Sequence, residues 1–352
     1  MIHSHELFCI GNAIVDVFSG ADFMRMEKFG ISGPVQHIDR DQAEAVLSEL
    51  TTGQGGALST SGGGAANVAK ISAMLGIKAA FCGCVGQDPL AEVFTEDLKR
   101  AGASVILSHG KEKTGVCLIL SSGKERRIAA SPGAALELSW SYIDGALLSK
   151  TKVVVIDGYI LDNRHLVQQI LMHSGSLKIP AAIDAASAFL IRDRTEDILH
   201  YSRNYPIFLF MNADEAIVFY NSILKSSRDE AGMSESEKIE TIFLSVCPML
   251  KIITEGKTFP VIVIKLGSQG AVVIAGGRIY REETFLASSG DTVGLGDAFA
   301  AAFLSSWIRG HSLSECAAMG NKVAKRILEV PGTAIDSSRL EPFAKSLALQ
   351  KP

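Results

Sequence analysis

Several features that would place the chain quickly are missing from it. There is no excess of one charge: 34 Lys and Arg stand against 38 Asp and Glu, a formal net charge of -4. No basic stripe is therefore available for broad attachment to nucleic acid or anionic lipid. No apolar run approaches the length of a membrane span, and the opening MIHSHELFCIGNAIVDV lacks the basic start and small-residue cleavage site of a signal peptide. A cytoplasmic protein without nucleic-acid or membrane partners is expected. The six cysteines (Cys9, Cys82, Cys84, Cys117, Cys247, Cys316) form no CxxC pair and lie mostly in apolar runs, as buried reduced thiols do. GxxxxGK[ST] is absent, and the nearest fragment, SSGKE at 121–125, lacks both the leading glycine and the final hydroxyl residue. GxGxxG does not follow the first strand, and HExxH and the protein-kinase motifs are missing too. A P-loop and a dinucleotide fingerprint are excluded.

What is present is an alternation. LFCIGNAIVDV, AAFCGCV, VVVIDGYI, IPAAIDA, IFLFMN and VIVIKLG read as strands buried on both faces. Between them, helices are predicted near 65–75, 89–101, 140–148, 164–173, 297–309 and 313–328. Asp88-Pro89 supplies an N-cap and a first-turn proline, and Gly76 and Gly310 fall at helix ends. Strand and helix in turn imply a mostly parallel sheet covered on both sides. Two regions depart from this rhythm: 18–61, with a weak helical pattern at 40–50, and the hairpin TGVCLILSS-GK-ERRIAAS at 114–131. They suit an appended lid or a plain extension of the sheet. The most polar stretch, 226–240, reads as a solvated helix or surface loop.

Five segments carry candidate chemistry. In ASSGDTVGLGDAFAAAFLSSWIRG, Gly290, Gly294 and Gly296 precede an apolar helix starting near Asp297. Backbone N–H groups of 294–297 can converge on an anion there, with the positive end of the helix behind them. An aspartate at the rim could take a proton from a hydroxyl moving toward phosphorus; a capped helix start with a turn at Asp291 fits the same residues. In STSGGGAANVAKISAMLG, Gly62, Gly63 and Gly64 lead to Asn67 in the first helical turn, which suits either polyol recognition or a flexible cap. GNAIVDVF sets Asn12 and Asp16 at the end of the first apolar run, where a carboxylate can meet a ligand's diol or simply face solvent. FLFMNADEAIVFY places Asn212 and Glu215 one turn apart, as oxygen groups around hydrated Mg²⁺ or as a cap. VIVIKLGSQGAVVI offers Lys265 and the turn 267–270 to phosphates, or an ordinary hairpin.

Taken together and in this order, the segments resemble the pfkB or ribokinase-like family of carbohydrate and nucleoside kinases, along nearly the whole chain. GGGAANVA and DTVGLGDAF are the strongest matches, the latter close to the family's D-T-x-G-A-G-D-x-F. The resemblance implies one domain over 1–352, a three-layer αβα doubly wound fold with a small β-rich lid drawn from about 18–61 and 108–134. It implies ATP with Mg²⁺, together with a monovalent cation such as K⁺. Asp297 then resembles the catalytic base, and Gly294, Leu295 and Gly296 the anion hole. Asp16, Asn12, Gly62, Gly63 and Asn67 resemble acceptor-binding positions. Asn212 and Glu215 match the N-x-x-E motif associated with Mg²⁺ and phosphate, while Lys265, Gly267, Gly270, Thr292 and Asn321 resemble nucleotide positions. Leu295 stands where alanine is usual, so its larger side chain must point away from the phosphate. Lys265 replaces a frequent threonine, and Ala91 replaces the last glycine of G-x-D-x-x-G.

GNAIVDV, the 18–61 insertion and ERRIAASPGAAL are similar to the adenosine-kinase-like branch of that family. The expected reaction is phosphorylation of a primary hydroxyl of a sugar or nucleoside, with ribokinase- or fructokinase-type acceptors as the alternative and a non-catalytic binding protein as the alternative class. Phe18, Phe23 and Tyr159 could line a purine slot, or be core aromatics. Arg126 or Arg127 could clamp phosphates from the lid, or be solvated. Monomer and homodimer remain open.

Overall fold

In strands buried on both faces, successive side chains must feed two separate cores. The computed structural model, which describes residues 5–52, 57–123, 125–226, 232–284, 294–328 and 337–349, has this arrangement. Its strands are β1 (Leu7–Ile10), β2 (Ile14–Gly20), β3 (Val35–His37), β4 (Leu58–Gly62), β5 (Ala79–Val85), β6 (Ser104–His109) and β7 (Gly115–Ser122). They continue with β8 (Glu125–Ser131), β9 (Val153–Ile156), β10 (Ala181–Asp184), β11 (Ile207–Asn212), β12 (Val261–Lys265), β13 (Ala271–Ala275) and β14 (Arg278–Glu282). A nine-stranded sheet runs β14-β13-β12-β11-β10-β9-β1-β5-β6. It is parallel from β12 to β6, and only β12–β13 and β13–β14 pair antiparallel.

Leu7, Phe81, Val153, Phe208 and Val263 face one core, against helices Gly64–Met74, Pro89–Arg100, Leu295–Ile308 and Leu313–Ile327. Their neighbours Phe8, Cys82, Val154, Leu209 and Ile264 face the other, against Arg164–Ser176, Ala188–Asn204 and Ala213–Ile223. The result is the expected αβα sandwich. Cys82 and Cys84 both point into the second core, and burial pushes both thiols up. Helix starts follow the caps: the Asp88 carboxylate accepts from the N–H groups of Leu90 and Ala91. Gly76 and Gly310, with φ of 83° and 87°, take the left-handed positions that end two helices.

Three expectations change. LFCIGNAIVDV is two strands in two sheets, because at Gly11 the chain turns away from the large sheet against Asp157, whose side chain leaves no room for a Cβ. Asp16 consequently lies within β2 rather than at the carboxyl end of β1. The helix expected at 140–148 is a 3₁₀ turn, Trp140–Tyr142, and a four-residue helix, Gly145–Leu148, divided where extended Asp144 caps the second. The helix Ala188–Asn204 went unflagged: its sequence is rich in Arg and Asp, and only one stripe is buried.

A second sheet, β3-β8-β7-β2-β4, contains the β7–β8 hairpin, with Ser122 opposite Glu125. Among the described residues no helix is long and apolar enough to cross a membrane.

Helices and sheet are keyed together at Phe208, whose ring meets Trp307, Phe259 and Phe303 edge-on at centroid distances of 5.1, 5.3 and 6.2 Å. Replacing Phe208 with Ala should lower unfolding free energy by about 3–5 kcal/mol, read as a shift of the urea midpoint with unchanged slope.

Candidate active site

In an open parallel sheet the crevice opens beyond the carboxyl ends of the strands. Four neighbouring strands each bring a polar residue to that edge: Asp157 just after β9, Asp184 ending β10, Asn212 ending β11 and Lys265 ending β12. Gly296 and Asp297, in the first turn of Leu295–Ile308, face them, and Gly64 and Ala65 come from the start of Gly64–Met74. All these residues, with Glu215 and Tyr159, line one cavity of about 250 Å³.

Among the described residues, one side chain holds Asp297. The Asn67 side-chain amide donates to its Oδ2 at 2.9 Å, joining segments 230 residues apart in sequence. Oδ1 faces Gly64, where a Cβ would stand 3.4 Å away. Burial, and after it the charge of Asp184, pushes the Asp297 carboxyl up to about 7, against the opposing pulls of Asn67 and Lys265. Gly294 sits in the left-handed region at φ 76° and leads the chain into the helix. Leu295 packs on the apolar core.

Lys265 donates to Asp184 Oδ2 at 2.7 Å. Burial alone would depress its ammonium, yet the charges of Asp184, Glu215 and Asp297 raise it above the usual lysine range. It also borders Gly296, where a Cβ would come 3.0 Å from its Nζ. A side chain at 296 would fill the space between the ammonium and the helix start; glycine leaves it as a cradle for an anion. Asn212 and Glu215 form a reciprocal cap: Asn212 N–H donates to Glu215 Oε2 at 2.7 Å, and Glu215 N–H to Asn212 Oδ1 at 2.9 Å. Glu215 is only 3% exposed, and burial followed by the charge of Asp184 lifts it to about 7. Among the described residues no three His, Cys, Asp or Glu side chains are arranged to hold a metal directly. A hydrated Mg²⁺ beside phosphates suits this edge, since that ion keeps several of its waters.

The expected acceptor residues gather next to the cavity, where the two sheets join. Asp16 is opposite Thr60 and Cys117 in the second sheet. Its carboxylate lies on the α-carbon of Gly62, in the space a side chain there would need. Burial raises it to about 7, against Lys70 and the Cys117 thiol, which both favour its charge. Gly63, at φ 92°, packs on the carbonyl of the buried Asn12. Tyr159 is the half-exposed aromatic wall, and burial pushes its hydroxyl up to about 12.

Other expected residues stand apart from the cavity lining. Gly267 and Gly270 form the 3₁₀ turn between β12 and β13, and Gly270 packs on the Glu282 backbone. Asn321 spends its amide on the carbonyl of Glu282 at 3.1 Å. Thr292, like Gly290 and Asp291, lies outside the described residues. Phe23 is covered by the Arg127 guanidinium at 4.4 Å, and that arginine is further tied to Ile31 O and Glu27. Arg127 is thus part of the second sheet's own packing.

Asp157 and Asp184 belong to none of the motifs above, although both are central here. Their signal was a carboxylate closing an apolar strand run, VVVID and AAID. Asp157 Oδ1 accepts from Tyr159 N–H at 3.0 Å, and burial lifts the group to about 6.

Comparison with known proteins agrees with this geometry. Residues 36–339 match the pfkB family carbohydrate kinase profile. An uncharacterised sugar kinase of Archaeoglobus fulgidus is 26% identical over 265 residues, 73% of this chain and 94% of that protein. An adenosine kinase of Schizophyllum commune is 25% identical over 342 residues, 92% of this chain and 94% of that one. The crystal structure of adenosine kinase from Sinorhizobium meliloti superposes with a TM-score of 0.80 at 25% identity, covering 98% of this chain and all of the other. The chain therefore belongs to the pfkB family of carbohydrate kinases and is a small-molecule kinase, of a kind that uses ATP with Mg²⁺.

Proposed function

We propose that the protein transfers the terminal phosphoryl group of ATP to a hydroxymethyl group, with an adenosine-like nucleoside favoured over free ribose or fructose as acceptor and Asp297 as the base. The observation that carries this reading is the Asn67–Asp297 hydrogen bond, which brings the two glycine-rich segments together at one carboxylate. Two relatives named adenosine kinase, each matched over more than nine-tenths of both chains, support the acceptor preference.

Asn67 occupies Oδ2 of Asp297 and leaves Oδ1 for the acceptor hydroxyl, in the space that Gly64 keeps open. With its affinity for protons raised to about 7, the carboxylate can accept the hydroxyl proton near neutral pH. The N–H groups at the start of Leu295–Ile308 and the Lys265 ammonium lie where charge develops on the transferred group. Asp184 keeps that ammonium aimed between turnovers. Asn212 and Glu215 would hold Mg²⁺ through water, and the ion, when bound, neutralises charge on the phosphates. Asp16, Asn12, Gly62 and Gly63 receive the acceptor's other hydroxyls, and Tyr159 flanks its base. The second sheet closes over the site as a lid and excludes water. Gly267, Gly270, Thr292 and Asn321 are assigned to the nucleotide end on the family pattern alone. K⁺ is the monovalent cation to compare with choline in the same assay.

An ATP-consumption screen over adenosine, other nucleosides, ribose, fructose and related ketoses tests the reading. ADP release should be strongest with adenosine, and no release with any acceptor would overturn it. Asp297→Asn should lower kcat by about 10²–10⁴-fold while ATP affinity, measured by calorimetry, stays within twofold, roughly the scatter expected of such binding data. The base works deprotonated, so turnover should fall as pH drops through about 7. That acid limb is assigned to the Asp297 carboxylate. It should disappear from the residual activity of Asp297→Asn; an unchanged limb would assign it to another group.

A further inference from the structure

One buried charge has no part in the phosphate site. Lys70, one turn beyond Asn67 in Gly64–Met74, is only 2% exposed, in a helix whose other buried residues are mostly Ala, Val and Ile. A buried ammonium is costly unless all its donors are used, and an apolar side chain of similar volume often serves stability equally well. Here all three are used. Lys70 Nζ donates to Asp97 Oδ2 at 2.9 Å and to the carbonyl and hydroxyl of Ser61 at 3.1 Å each. Ser61 returns its own N–H and hydroxyl to the same Asp97 oxygen, at 2.9 and 2.7 Å.

The cluster sits at a particular joint. Ser61 belongs to β4 of the second sheet, whereas Lys70 and Asp97 belong to helices of the main body. The residue after Ser61 is Gly62, on which the Asp16 carboxylate lies. Helix Pro89–Arg100 also packs on β2, the strand that carries Asp16. Among the described residues, Lys70 from one helix and the Cys117 thiol from β7 act on Asp16, and Asp97, with Arg100 3.8 Å beyond it on the other helix, pairs with Lys70. Lys70 is the cation that acts on Asp16.

We infer that Lys70 is a positioning residue for the acceptor: its ammonium fixes the Gly62 end of β4 to the main body and sets a positive charge beside Asp16, the carboxylate that receives the acceptor's hydroxyls. This rests on the reading of Asp16 as an acceptor ligand. Lys70 touches neither substrate, and it works through Ser61, Gly62 and Asp16.

Removing the ammonium should make Asp16 harder to ionise, so the acceptor KM should depend on pH in a new range while the KM for ATP does not move. Because Lys70→Met alone leaves Asp97 unbalanced and could fail to fold, the double variant Lys70→Met/Asp97→Asn is measured beside it; position 97 then still accepts from Ser61 N–H. A displacement of the Asp16 midpoint by about one pH unit corresponds to an acceptor KM about fivefold higher at pH 7, nearing tenfold at pH 6 and almost unchanged at pH 9. The carboxyl ¹³C shift of Asp16 reads the same displacement without turnover, from about 7 in the wild type. An acceptor KM raised equally at every pH, or not raised at all, would make Lys70 purely structural and overturn the inference, as would an unmoved ¹³C midpoint. Failure of the underlying reading looks different: Asp16→Asn would leave acceptor KM unaltered, or no acceptor would be phosphorylated, while the ¹³C titration would still judge Lys70.

Discussion

Four carboxylates, those of Asp157, Asp184, Glu215 and Asp297, line one cavity at the carboxyl edge of a parallel sheet, and three of them, Asp184, Glu215 and Asp297, act on the Lys265 ammonium among the described residues. Like charges brought this close, away from bulk water, cannot all stay ionised at no cost. Burial first, and after it the charge of Asp184, makes Glu215 and Asp297 hold their protons more tightly than a carboxylate in water; burial does the same for Asp157, while Lys265 is held more firmly charged. The surroundings of an ordinary aspartate, burial first and then the charge of Asp184, give Asp297 the proton affinity that the proposed base requires near neutral pH. A polyphosphate can enter such a crevice only in the company of cations, here the lysine and the divalent ion that the family uses.

The backbone is arranged around this charge. Glycines at 62, 63, 64 and 296 stand where a Cβ would run into Asp16, into Asn12, toward Asp297 or toward Lys265. Each removes a side chain at a point where a functional group needs the room. Rigidity comes from the αβα core beneath, in which each strand is buried on both faces. The second sheet belongs to the same apolar core, through Val15, Val17, Val116 and Leu118, and is tied to the main body again through Ser61, Lys70 and Asp97.

Much of the architecture was legible because it depends on local rules. Period-two apolar runs, caps such as Asp88-Pro89 and left-handed glycines such as Gly76 are decided by neighbours within one turn or one pleat. The same holds for GGGAANVA and DTVGLGD, whose glycines announce close backbone approach. Where a prediction depended on contacts distant in sequence, it drifted. LFCIGNAIVDV looked like one strand because nothing in its own composition reveals that after Gly11, which packs against Asp157, the chain pairs in a second sheet. Arg127 looked available for phosphate until the structure placed it over Phe23 and against Glu27.

By itself, then, the sequence determined a parallel αβα body, a hairpin outside its rhythm and two glycine-rich helix starts, since each of these is written in short-range spacing. Only the tertiary structure decided that the two helix starts meet at Asp297, that Asp157 and Asp184 join them, and that Asp16 rests on Gly62 above the buried Lys70. Proton affinity is the physical reason for the difference: it is set by burial and by charges brought in from other strands, and neither is a property of any one segment.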